Sequence, residues 1–165
     1  MRHLIARLAR DRRGIAATEF ALILLTQKLQ GGAFILADLT ARDRTLSEGQ
    51  LANIFLAIDN IIQPFDFDAD GRAIVSSVGV NAANKPVVNW QRLGSGELTA
   101  TSEVGTQGAL ATLPDDLSIA AGETIIAAEV FYSFEPLFGI GLSPRVIHKV
   151  SYYKPRLGTL DSLLP

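Results

Sequence analysis

The chain contains no cysteine. Disulfides, thiolate metal sites and a cysteine nucleophile are excluded with it. Imidazole chemistry has only two positions open to it, His3 and His148. No serine elbow, H-E-x-x-H pair or phosphate-binding glycine loop occurs, and Gly139-Ile140-Gly141 has no helix after it and reads as a turn. A net charge of −2 gives no case for a nucleic-acid partner. A full-length apolar run is also missing. Crossing a bilayer takes about 20 mainly apolar residues, and the run from Gly14 to Leu25 is followed at once by Lys28 and two glutamines.

What is present points to a folded chain. Of 165 residues, 48% are apolar and 19% charged, enough for a domain of ordinary size with its own core. Charge is unevenly placed. Arg2, Arg7, Arg10, Arg12 and Arg13 crowd the start against a single acid, Asp11, so the remainder is acidic. A basic head before an apolar run marks the part of a membrane protein that stays in the cytoplasm.

Helical patterning comes first along the chain. Gly14 to Leu25 is rich in helix formers, broken only by Thr18 and Glu19. Leu29, Gly32, Ala33, Leu36 and Leu39 continue the spacing beyond a polar stretch, which predicts one interrupted helix from Gly14 to about Asp43. Thr45 with Glu48 reads as a capping box opening a second helix, and Ser47 with Gln50 competes with it. Leu51, Ile54, Phe55, Ile58, Ile61 and Ile62 form the apolar stripe of that helix, and Pro64 ends it.

Period-two patterning follows. Ile74, Val78 and Val80 share a face of one strand, Val88 and Trp90 share a face of the next, and Asn81 to Lys85 suits the hairpin loop between them. Gly94 to Gly122 is poor in large apolar residues and reads as an extended surface loop, with Asp115 and Asp116 a turn pair after Pro114. Thr124 to Phe134 alternates Ile126, Ala128, Val130, Tyr132 and Phe134 with Glu129 and Ser133. Val146, His148, Val150 and Tyr152 alternate with Lys149 and Ser151 in a fourth strand, and the tail after Pro155 is expected to fray. The fold class is therefore α+β: an N-terminal anchor-like helix, and a second amphipathic helix packed on a roughly four-stranded antiparallel sheet.

The stretch Arg12-Arg13-Gly14-Ile15-Ala16-Ala17-Thr18-Glu19-Phe20 resembles the processing site of the Flp pilins and TadE-like pseudopilins. That pattern is a basic leader, a small residue, four further residues, then glutamate and an aromatic. The resemblance implies cleavage after Gly14 by a prepilin peptidase, leaving Ile15 as the new N-terminus. It implies a leader over 1–14, a shortened membrane anchor over 15–43 and an extracytoplasmic α+β domain over 44–165. It also implies the bacterial inner membrane, a periplasmic C-terminal domain, and Tad (Flp) pilus subunits and assembly proteins as partners beside the peptidase. Neither a reaction nor a cofactor is implied; the chain is the peptidase's substrate.

Each position has a physical reason. Glycine lets a protease approach the backbone closely. The arginines hold the scissile bond at the cytoplasmic face. A lone carboxylate such as Glu19 costs ~2.5–3.5 kcal/mol at the bilayer centre on insertion scales, so it calls for a partner. The resemblance implies that this partner is the amine freed at Ile15, on this subunit or a neighbour.

Two other readings rest on residues elsewhere. Asp66, Asp68 and Asp70, followed by Gly71, match the opening of a calcium loop. That would suit a periplasmic binding domain, but the twelfth position is Ser77 and a strand follows instead of a helix. An acidic turn explains the same residues. A hydrolase using His148 with Glu129 would need the imidazole in an open cleft; a packed core histidine is the simpler role. Trp90, Tyr132, Phe134 and Tyr152 read as sheet core or edge, not as a ligand box.

Overall fold

The computed structural model describes residues 12–136 and 143–165. The leader through Asp11, His3 within it, and the Gly139-Ile140-Gly141 turn lie outside the described residues. In chain order come α1 (Arg12–Thr40), α2 (Glu48–Ile62), a single turn α3 (Phe67–Asp70), β1 (Gly71–Val80), β2 (Pro86–Leu93), β3 (Ile125–Phe134) and β4 (Arg145–Tyr153). The strands make one antiparallel sheet in the order β2-β1-β3-β4. The α+β class expected from the patterning is the class found.

α1 runs without interruption for 29 residues. The polar stretch that breaks its apolarity is where it is tied down. Lys28 Nζ donates to the Ile61 carbonyl at 2.9 Å, satisfying an orphan acceptor at the end of α2. Gln30 Nε2 donates to Ser151 Oγ of β4 at 3.1 Å. Gly32 lets α2 come close, since a Cβ there would sit 3.3 Å from Ile62 Cδ1.

α2 starts from the second of the two capping boxes. Ser47 is the N-cap, Gln50 N donates to its Oγ, and Gln50 Oε1 accepts from Ser47 N. The Thr45 box loses because Leu46 and Leu51 are both buried, a pairing of N′ with N4 that fixes the chain's approach to the helix. α2 lies beside α1 and reaches the sheet through Phe55, whose ring occupies the space a side chain at Gly94 would need.

Both faces of the sheet are covered. On one, Ala73, Val75, Trp90, Ile126, Ala128 and Val130 pack with Leu25, Leu29, Ala33, Leu36 and Ala37 of α1 and with the buried stripe of α2. The other face carries a smaller cluster of Val78, Val88, Val104 and Ala127, flanked by Ala111, Leu113, Ile119, Val150 and Tyr152. The segment between β2 and β3, expected as a surface loop, is thus a strap across that second face.

Two further expectations are corrected. Val88 and Trp90 do not share a face: Ser77 pairs with Trp90 but Val78 pairs with Val88. Asn89 is the extra residue of a β-bulge, and it turns its two neighbours to opposite sides. The tail does not fray. Leu160 is buried and its carbonyl accepts from Trp90 Nε1 at 2.8 Å. Leu164 O accepts from Glu48 N at 3.1 Å, closing the open end of α2.

Candidate functional site

α1 has two environments along its length. From Leu25 onward, Leu25, Leu29, Ala33, Leu36, Ala37 and Thr40 are buried at spacings of three or four, the stripe of a helix docked on a sheet. Before Leu25 fewer side chains are buried: Ala21, Leu22 and Leu24 are half-buried, with Leu22 packed against the core. Phe20 is 67% exposed and Ile23 56%; Ala16, Ala17 and Glu19 are exposed, and Thr18 is the buried exception. The stretch Ala16–Thr40, 25 residues with mean hydropathy 1.5 in its most apolar 18-residue window, is long and apolar enough to cross a membrane, and 33% of that window is buried in the fold.

Of the residues expected to form a processing site, Glu19 and Phe20 are exposed. The Gly14–Ile15 bond lies in the first turn of α1. Among the described residues no ion-pair partner reaches Glu19. A cavity of 330 Å³ opens where the first half of α1 passes the end of β3, lined by Ala17, Thr18, Ala21, Phe65, Tyr132 and Phe134 among others.

Two of the three aspartates of the acidic turn, Asp66 and Asp70, line the same cavity. Asp66 caps α3, its Oδ1 accepting from Ala69 N at 3.2 Å. Asp70 Oδ2 faces the Tyr132 hydroxyl at 3.4 Å. Burial and then the Asp70 charge push the Tyr132 phenol up to about 12. On α2, burial and then the charge of Asp68 raise Asp59 above the usual carboxylate range. Among the described residues no group of three or more His, Cys, Asp or Glu is placed to hold a metal ion.

His148 and Glu129 do meet, on the strap side of the sheet. Glu129 is fully buried. Ser102 Oγ donates to its Oε2, and Glu103 N donates to Oε1 at 2.8 Å. His148 Nε2 lies 3.2 Å from the same Oε1, near enough for an ion pair but off the line of an aligned hydrogen bond. The other ring nitrogen, Nδ1, lies 3.2 Å from Glu103 Oε2. The ring stacks on Phe131 with centroids 4.3 Å apart, and only 19% of the side chain is exposed. Burial first, then the charges of Glu129 and Glu103, raise the nearby Tyr152 phenol. Both imidazole nitrogens face carboxylates, and Ser102 gives its proton to Glu129, not to the ring. The arrangement fastens the strap to β3 and β4; it does not present a base to a nucleophile.

Ser102 and Glu103 were not singled out from the sequence, because their segment has no periodicity to place them. The available signal was Glu129 itself, an acid inside a strand whose neighbours Ile125, Ala127 and Phe131 make both faces apolar. No family model, curated protein or solved structure matches this chain.

Proposed function

We propose that this chain is a TadE-like minor pseudopilin or assembly factor of a Tad (Flp) pilus. It is held in the inner membrane by the leading part of α1, and its α+β domain lies in the periplasm. The observation that carries the reading is the change of environment along α1. One uninterrupted helix is docked through its second half and has Phe20, Ile23 and Glu19 exposed in its first. Exposed apolar side chains along one side of the start of a helix suit a bilayer or a neighbouring helix. The arginine-rich start would remain cytoplasmic. Glu19, without an ion-pair partner among the described residues, would be matched by the amine freed at Ile15 of a neighbouring subunit. That pairing would set register between copies, a use to which charges in low dielectric are suited.

The apolar part of the exposed stretch is short for a full span, which the bilayer can meet by thinning locally or by letting flanking residues snorkel. In this reading the protein catalyses nothing, and its first partner is the prepilin peptidase. The test is N-terminal sequencing of membrane material from cells expressing that peptidase. The expected mature chain begins at Ile15. Recovery of the intact leader, with the peptidase active on a control pilin, overturns the proposal.

A further inference from the structure

We propose that the outer edge of β4 is a docking site for an extended, acidic segment of a partner protein, which adds to the sheet as a further strand. The sheet has two edges, β2 and β4, and the fold treats them differently. β2 is closed by the strap: Val88 N donates to Ala109 O at 3.0 Å, Gly108 N to Val88 O at 2.8 Å, and Ala111 N to Pro86 O at 2.9 Å. On β4, 9 residues long, no described residue outside β3 bonds to the backbone. A row of unpaired N–H and C=O groups is a template for another strand.

The surroundings of that edge say what kind of strand fits. A groove of 310 Å³ runs beside it, walled by Leu22 and Thr26 of α1 and by Arg145, Val146, Ile147 and Lys149 of β4. Arg145, Ile147 and Lys149 pair with Phe134, Tyr132 and Val130, so they share the face turned toward α1. Neither cation has an ion-pair partner among the described residues. The edge thus displays cation, apolar residue, cation at every second position. A complementary strand carries acid, apolar residue, acid at i, i+2 and i+4, and continues the sheet's hydrogen bonding.

The same charges argue against a second copy as the occupant. Antiparallel pairing of two β4 edges about Ile147 would set Arg145 of one copy opposite Lys149 of the other, and like charges directly opposed are destabilising. Edge cations are a common bar to self-pairing; here they leave the edge open to a partner of opposite sign.

The test uses the full chain and a ten-residue peptide with glutamate at i and i+4 and valine at i+2, against a control with lysine at the two acidic positions. The glutamate peptide is expected to bind, more weakly as salt rises, and to slow amide hydrogen exchange along β4. The double variant Arg145→Glu, Lys149→Glu should bind it about tenfold more weakly and should prefer the lysine peptide, a reversal that an unfolded variant cannot give. Equal binding of both peptides, or protection confined to other elements, overturns the proposal. So does sedimentation showing that the edge is already occupied in a β4-paired dimer.

Discussion

At the scale of single residues, Glu129 is the most demanding position in the fold. A buried carboxylate is tolerated only when its lone pairs are met, and here Ser102 and the Glu103 amide meet them, with His148 Nε2 3.2 Å from Oε1 beside them. Glu129→Ala leaves those donors facing a void, and we expect a loss of about 2–4 kcal/mol in urea unfolding. Ser102→Ala, which removes one donor, should cost about 1–2 kcal/mol. A Glu129→Ala chain within about 0.5 kcal/mol of the parent would show that the cluster does not hold the strap. Tyr132 gives a second prediction. Its phenol is raised to about 12 from an ordinary 10.0. The neutral form is therefore favoured in the fold, and the stability it contributes is full below pH 10. That stability is lost as pH rises from about 10 to about 12. Absorbance at about 295 nm should show a late-titrating phenol that Tyr132→Phe removes; complete titration near the ordinary tyrosine range would refute the assignment. The meeting of His148 with Glu129 could be read from the sequence only as an option, because residues on neighbouring strands are brought opposite by register, which no local pattern specifies. The part played by Ser102 was not legible at all.

At the scale of elements, legibility followed periodicity. α2 announced itself through a six-residue apolar stripe and a proline stop, and β3 through the apolar series Ile126, Ala128, Val130, Tyr132 and Phe134 at every second position. The β2 faces depart from simple alternation because a single bulged residue, Asn89, reverses everything beyond it, and nothing in Val88-Asn89-Trp90 marks the bulge. β4 kept its alternation, but Val146, His148, Val150 and Tyr152 turn to the strap and not to the helices. A sheet covered on both faces offers two interiors, and alternation alone cannot say which is which. The strap leaves no periodic signal because Val104, Ala111, Leu113 and Ile119 are irregularly spaced and each covers its own spot. The adjacent glycines of α1 give a test at this scale. A side chain at Gly31 meets nothing within 4 Å, whereas one at Gly32 meets Ile58 and Ile62. Gly31→Ala should stabilise by about 0.5–1 kcal/mol through helix propensity. Gly32→Leu should destabilise by about 1–3 kcal/mol by prising α2 off α1. Equal shifts in melting temperature for the two would contradict the packing.

At the scale of the molecule, α1 belongs to two environments, and substitutions should separate them. Leu25→Ala removes a fully buried side chain and should cost about 2–5 kcal/mol. Phe20→Ala removes an exposed one, and should leave the unfolding midpoint within the range of ordinary surface changes, about 0.5 kcal/mol. It should instead weaken partition into lipid vesicles, since an apolar ring is lost from the exposed stretch. A Phe20→Ala chain that binds vesicles undiminished but unfolds early would place the ring in the core and contradict the division of the helix. The docked half has a consequence in time as well as in space. Gln30 meets Ser151 across 121 residues, and ribosomes add about 5–20 residues per second. The helix is therefore synthesised about 6–25 s before the strand that is to cover it. α2 follows within a few tens of residues and can cover part of the inner stripe early, but the side of the helix that meets β4 waits for the last strand, and until then it is open to a lipid surface or a chaperone.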